Sequence, residues 1–354
     1  MKMIQHVIES IEPLDESAMV AARERQNQLT KPLGSLGRLE ELAIQIAGIT
    51  SNVRPRLPRK AVVVMAGDHG VCAEGVSAYP SEVTPQMVMN FLAGGAAINV
   101  LSRRAGARVV VVDVGIAAEM PVRDGLLNRK VARGSRNLSK EPAMTQQEAE
   151  QAIQVGIDVV EMEIAKGLDL VATGEMGIGN TTPSAAIVSL LTGYPLSNVV
   201  GRGTGVDDTG LERKIVAIER GIAANKPNPS DPMDVLIKMG GLEIAGLVGV
   251  ILAGAANRLP VVIDGFISGA AALVAVGLCP RVKDYLVPSH QSVEAGHAAI
   301  LRSLKIRPLL DMDMRLGEGT GAAIAMHLID DALAIHDEMA TFAEAGVSGK
   351  AESE

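Results

Sequence analysis

Apolar positions recur at three-and-four spacing near both ends of the chain and in short unbroken runs between them. Residues 15–30 (DESAMVAARERQNQLT) and 37–50 (GRLEELAIQIAGIT) read as amphipathic helices joined by KPLGSLG. Residues 320–342 (TGAAIAMHLIDDALAIHDEMATF) read as another, and the tail 344–354 (EAGVSGKAESE) is expected to fray. In between, β-branched runs alternate with helical stretches. The runs predict strands in 61–71 (AVVVMAGDHGV), 107–116 (ARVVVVDVGI), 168–182 (LDLVATGEMGIGNTT), 258–266 (RLPVVIDGF), 285–292 (YLVPSHQS) and 307–321 (RPLLDMDMRLGEGTG). Helices are predicted over 84–106, as one element with Pro85 in its first turn after Thr84, over 148–167 and over 267–277.

Such alternation predicts an α/β fold: an open, mostly parallel sheet with helices on both faces, Rossmann-like. The terminal helices fall outside the alternation. They suggest a small helical domain made from residues 1–58 and 322–354, the second part carrying the frayed tail, around an α/β substrate-binding and catalytic domain spanning 59–321. In open parallel sheets a ligand binds beyond the carboxyl ends of the strands, so the residues that follow each apolar run are the functional candidates.

Composition narrows this picture. Hydrophobic residues make up 47% of the 354 positions but aromatics only 2%, with 37 Gly, which favours closely packed small side chains on a sheet over a β-sandwich. The formal net charge of -8, with no basic stripe, speaks against nucleic acid and anionic membrane as partners. Cys72 and Cys279, the only cysteines, form no CxxC pattern and suit a reducing compartment. The greasiest stretch, 244–279, is interrupted by Asn257, Arg258, Pro260 and Asp264, short of the ~18 apolar residues a span requires. A cytoplasmic location is expected.

Polar, glycine-rich or capping segments are expected to follow the strands. GEMGIGNTTPS (174–184) is either a glycine turn with a helix cap or a nest of backbone N–H groups for a phosphate, with Glu175 serving another part of the ligand. It lacks the Lys-Ser/Thr of a Walker A loop. GRGTGVDDTG (201–210) repeats that logic ahead of a helix bearing Lys214, with DDTG as its cap. PSHQS (288–292) offers Ser292 as a phosphate hydroxyl, while His290 and His297 are too loosely spaced to predict a metal site. In LLDMDM, Asp311 and Asp313 alternate as a strand would place them on one face, and are expected to be held by backbone donors. SAYPSEVTPQM (77–87) supplies Tyr79 and Met87 to wall a flat ring. Finally, RLGEGTG (315–321) sets Glu318 between two glycines ahead of a helix, a carboxylate on a tight turn whose apolar surroundings should raise its pKa.

With KPLGSLGRLEELA, AGDHGV, YPSEVTPQMVMNFLAGGAAINVL, GEMGIGNTTPSAA, GRGTG, GGLEIAGL, VIDGFISGAAAL, SHQSVEAGH and LDMDMRLGEGTGAA in order, the chain resembles the nicotinate-nucleotide–dimethylbenzimidazole phosphoribosyltransferases of cobalamin synthesis over nearly its whole length. The resemblance implies Glu318 as catalytic base and Glu175 near ribose and base. It implies phosphate contacts at Gly177, Gly179, Gly203, Lys214 and Ser292, and a benzimidazole pocket drawing on Tyr79, Ser81, Gln86 and Met87. It also implies small-molecule substrates, a homodimer, and neither cofactor nor metal. Two other readings remain: a nucleotide-binding regulatory module without turnover, and an NAD-dependent dehydrogenase using Asp113, although AGDHGV does not supply G-x-G-x-x-G.

Overall fold

The computed structural model describes residues 2–348. Its centre is a six-stranded sheet built from β1 (Lys60–Gly67), β2 (Ala107–Gly115), β3 (Leu126–Asn128), β4 (Leu170–Met176), β5 (Val261–Ile263) and β6 (Leu286–Pro288). Every pairing is parallel and the order is β3-β2-β1-β4-β5-β6. The chain leaves β1 toward one edge and β4 toward the other. The topological switch point, where parallel α/β sheets open a crevice, lies between those two strands.

β1 explains why this sheet is covered on both sides. All eight of its residues are buried, and its side chains alternate between two apolar layers. Ala61, Val63 and Met65 join the layer formed with helices Gln146–Ala165, Thr181–Thr192, Leu242–Ala256 and Phe266–Leu278. Val62, Val64 and Ala66 join the layer with Arg38–Thr50, Val83–Ala93, Ala97–Ala105 and Thr320–Glu338. The scarcity of aromatics is met by close approach: a Cβ at Gly249 would lie 1.9 Å from the Ile153 carbonyl oxygen, so only glycine lets the helices Gln146–Ala165 and Leu242–Ala256 touch there.

The two ends of the chain pack together. Arg25 donates to the carbonyls of His336 (2.7 Å) and Asp337 (2.9 Å) at the end of Thr320–Glu338. Gln26 Nε2 lies 3.0 Å from His336 Nδ1, and Leu29 pairs with Thr341 in an antiparallel bridge. Thr320–Glu338 packs against Arg38–Thr50 and also against β4 and β5.

Three expectations need correction. The single helix over 84–106 is two, Val83–Ala93 and Ala97–Ala105, because Gly94 adopts φ +77° and its N–H closes the first helix. The strand expected in 307–321 shrinks to β8 (Leu310–Asp311), which pairs only with β7 (His290–Gln291), apart from the main sheet. The alternation that would have put Asp311 and Asp313 on one face is therefore absent; both are exposed, and no backbone donor holds either among the described residues. The tail is ordered further than expected, since Thr341 and Glu344 form a capping box on Phe342–Ala345. Residues 349–354, the rest of the segment expected to fray, lie outside the described residues.

Candidate active site

A cavity of about 420 Å³ opens at the carboxyl end of the sheet, beside the switch point. Glu175 and Met176 close β4 within it, and the segments that follow β4 and β8 supply Gly177, Ile178, Asn180, Thr181, Arg315, Leu316 and Glu318. Tyr79, Val83 and Met87 face them from the arm that follows β1, while Gly203, Thr204 and Glu294 form the far rim.

The turn carrying Glu318 is unusual in its backbone. Gly317, Glu318 and Gly319 all have positive φ (83°, 64° and 92°), a conformation that a non-glycine residue adopts only at a cost of about 1–3 kcal/mol. Glycine is required on both sides for a second reason. A Cβ at Gly317 would fall 2.3 Å from Glu175 Oε1, and one at Gly319 would fall 2.5 Å from Val62 Cγ1. Asp264, just beyond β5, fixes the turn from below by accepting the N–H of Gly319 (3.2 Å) and of Ala322 (3.0 Å) at the start of Thr320–Glu338. Asp264 is buried, and that burial lifts its pKa to about 7 against the pull of these backbone donors.

Glu318 itself is 7% exposed, and its Oε2 is buried without a hydrogen-bond partner. Burial raises its pKa above the usual glutamate range, with a backbone hydrogen bond from Ile98 as the opposing influence. A desolvated carboxylate with a free acceptor oxygen is suited to take a proton from a bound ligand. Glu175 differs. Burial pushes its pKa to about 8, the Asn180 side chain that donates to Oε2 pulls it down, and the charges of Asp264 and Glu243 raise it. Near neutral pH it holds a proton, so it presents a carboxylic acid that can donate as well as accept.

The polar wall is built around helix starts. Asn180 occupies the N-cap position of Thr181–Thr192 but makes no side-chain cap bond; its amide is spent on Glu175. Gly179, at φ +90°, sits over Cys72, where a Cβ would come 2.5 Å from Sγ. Asp207 caps Asp208–Asn225 through the Gly210 N–H, as DDTG suggested. That helix buries Lys214 completely, and its Nζ donates to Thr181 Oγ1 (2.7 Å) and the Gly201 carbonyl (2.9 Å). Gly203 admits this approach, since a Cβ there would be 2.6 Å from Thr181 Oγ1 and 3.0 Å from Nζ. Burial lowers the Lys214 pKa to about 8, while the Glu294 charge raises it. Lys214 thus stands directly behind Thr181 and Gly203 in the cavity wall. Ser292 stands behind Glu294, whose N–H it accepts at 3.3 Å.

The apolar wall is made by Tyr79, Val83, Met87, Met176, Ile178 and Leu316. Tyr79 and Leu316 are more than half exposed at the mouth. Ser81 and Gln86 belong to the same arm but are not in the lining: Ser81 is half-buried with Cys72 as a hydrogen-bond partner, and Gln86 faces solvent.

Sequence reasoning missed Arg315, whose Nη1 reaches the Gly203 carbonyl (3.3 Å), and Glu294, whose Oε2 is buried and unpartnered. Arg315 sits inside the quoted RLGEGTG segment and Glu294 inside SHQSVEAGH, and those adjacencies are the available signals. Asn180 and Thr181 belong to the segment read as either a helix cap or a phosphate nest, and both line the cavity. His290 and His297 are both buried, with ring centroids 6.2 Å apart and pKa values lowered by burial, that of His297 to about 3. Among the described residues no group of three metal-type side chains converges. Asp113 is fully buried, accepts the Ile116 N–H and lies 3.4 Å from Lys130 Nζ, so it is not open to a ribose. No helix among the described residues is long and apolar enough to cross a membrane.

Known proteins resemble the chain in both sequence and fold. A family described as phosphoribosyltransferase matches residues 11–347. The nicotinate-nucleotide–dimethylbenzimidazole phosphoribosyltransferase of Chloroflexus aggregans is 60% identical over 353 residues, covering 100% of both chains. The protein of that name from Geobacter sulfurreducens is 55% identical over 98% of this chain and 99% of its own. The crystal structure of CobT from Thermus thermophilus superposes with a TM-score of 0.91 at 50% identity, covering 94% of this chain and 99% of that one.

Proposed function

The chain belongs to the phosphoribosyltransferase family, and from that premise we propose that it moves the 5-phosphoribosyl group of nicotinate mononucleotide onto 5,6-dimethylbenzimidazole. The products are α-ribazole 5′-phosphate and nicotinate, for nucleotide-loop assembly of cobalamin. One observation carries the chemistry: the buried, unpartnered Oε2 of Glu318 on a fixed turn beside the apolar wall.

The attacking ring nitrogen forms a bond to the anomeric carbon as the bond to the pyridinium nitrogen breaks. Nicotinate leaves with its ring nitrogen neutral and needs no proton. Attack places positive charge on the benzimidazole, whose remaining N–H becomes acidic, and Glu318 takes that proton. A positioned base of this kind contributes about 10²–10⁴-fold. A single displacement inverts the anomeric carbon, which turns the β-nucleotide into an α-product.

The nucleotide phosphate is assigned to the turn of Gly177 and Gly179 with the start of Thr181–Thr192, assisted by Gly203, Lys214 and Ser292. Helix starts favour anions, and fixing the phosphate there orients the ribose toward the ring. Glu175, protonated near neutrality, serves the ribose side as a donor. Tyr79 and Met87 hold the heterocycle, while Ser81 and Gln86 lie on the same arm outside the lining. Residues 1–58 and 322–354 are read as a small helical domain around the catalytic part, 59–321. We place the enzyme in the cytoplasm as a homodimer acting on small molecules.

Incubation with both substrates tests the reading. Release of nicotinate together with an α-configured nucleotide is expected. A β-configured product, or nicotinate released at the same rate without the benzimidazole, would overturn it.

A further inference from the structure

Beneath the turn of residues 177–182 lies a buried ion pair that the chemistry above leaves unused. His69 follows β1, Glu243 stands in the first turn of Leu242–Ala256, and both side chains are wholly shielded, with Nε2 2.8 Å from Oε1. Removing two charges from water is costly, and a well-packed apolar pair generally serves stability as well or better. Glu243 even leaves Oε2 buried without a hydrogen bond.

The surroundings indicate what the pair holds. The imidazole occupies the space beside Gly177: a Cβ on that glycine would lie 3.2 Å from Nε2 and 2.4 Å from the Gly67 carbonyl oxygen. On the ring's other side, a Cβ at Gly241 would lie 2.3 Å from Cε1. Ile178 is pinned at both ends, its N–H donating to Thr84 Oγ1 and its carbonyl accepting from Cys72 Sγ, each at 3.1 Å. The turn therefore rests on the segment Gly67–Cys72, with the His69 ring wedged between Gly177 and Gly241. The bond to Glu243 fixes the ring's rotation in that slot.

The geometry points to His69 and Glu243 as positioning residues for the nucleotide phosphate: the pair locks the imidazole under Gly177 and so sets the shape of the turn that receives the anion. This rests on the reading of that turn as the phosphate site. Burial alone would lower the His69 pKa, but the neighbouring Glu243 carboxylate raises it above the usual value, which strengthens the bond that holds the ring.

The test compares wild type with Glu243→Gln, which keeps shape and removes charge, and with the paired replacement His69→Leu plus Glu243→Leu, which substitutes packing for charge. Calorimetry measures nicotinate mononucleotide, dimethylbenzimidazole and inorganic phosphate separately on each folded protein. Both variants should lose about tenfold or more in nucleotide and phosphate affinity and keep dimethylbenzimidazole affinity within about twofold. Unchanged nucleotide and phosphate affinities, or equal loss of all three ligands, would overturn the proposal. Should Glu243→Gln not fold, the paired variant decides by the same criteria. A wild type that binds phosphate but not the nucleotide would discredit the substrate assigned above, and the phosphate affinities would still judge the pair. A wild type that binds neither would overturn both.

Discussion

The backbone N–H of Glu318 donates to Glu175 Oε1 at 3.4 Å, so the turn that presents one acid is fastened to the side chain of the other. Glu175 belongs to β4, a strand with every residue buried, whereas Glu318 stands on irregular backbone. The rigid member thereby locates the strained one. The two carboxyl groups differ in company as well: Glu175 accepts from Asn180, while Glu318 keeps an oxygen free. Removing either acid should consequently have a different signature.

Glu318→Gln should lower the chemical step by about 10²–10⁴-fold with nucleotide affinity nearly intact. Single-turnover release of nicotinate, set beside calorimetry of the nucleotide, checks this. Near-normal turnover would remove the role of base.

Gly317→Ala should cost stability and activity together, because it meets both a φ of +83° and the Glu175 carboxyl group. A loss of about 1–3 kcal/mol is expected, with reduced turnover. Gly193→Ala is the control: φ is +75° there, but a Cβ meets nothing within 4 Å. It should cost about 1 kcal/mol and leave turnover unchanged. Denaturant melts and initial rates on the two proteins separate the effects.

The proton on Glu175 predicts a pH dependence of stability. Folding raises this pKa from 4.5 to about 8, so the folded chain retains a proton that the unfolded chain releases. The contribution is full below pH 4.5, drains away as the pH climbs, and has gone above about 8. Glu175→Gln cannot titrate. Its melting temperature relative to wild type should therefore increase from pH 5 to 8 and then level off; a difference independent of pH would refute the assignment.

Lys214→Met should raise KM for nicotinate mononucleotide more than it lowers kcat. In the wild-type chain the ammonium loses its proton as the pH passes about 8, so nucleotide affinity should decline across that point. The variant should lack that decline. Titration of nucleotide binding between pH 6.5 and 9.5 on both proteins tells the two apart.

The elements legible in the sequence were those whose pattern is dictated by burial. β1, β2 and β4 stand out because strands largely covered on both faces are mostly apolar. β3 escaped notice: three residues at an edge, none of them buried, leave no periodic trace. The break at Gly94–Gly95 was written in the sequence as a glycine pair, yet helical spacing on both sides masked it. At the site, glycine-rich segments announced Glu175, Gly203 and Glu318, although the segment with Gly203 follows the helix Leu196–Val199 and not a strand as expected. Arg315 and Glu294 are single charges without a pattern, and only folding brings them to one rim. His69 and Glu243 are 174 residues apart, so no local reading could have paired them.

Arg25 grips the last carbonyls of Thr320–Glu338, the helix whose first turn follows Glu318. The helix that follows the base is thus held at its far end by the amino-terminal part of the chain. During synthesis the sheet can assemble while the final forty or so residues are still in or near the ribosome, since domains form as their chain emerges. The catalytic turn follows, because Asp264 holds it through the N–H groups of Gly319 and Ala322, which emerge last among these partners.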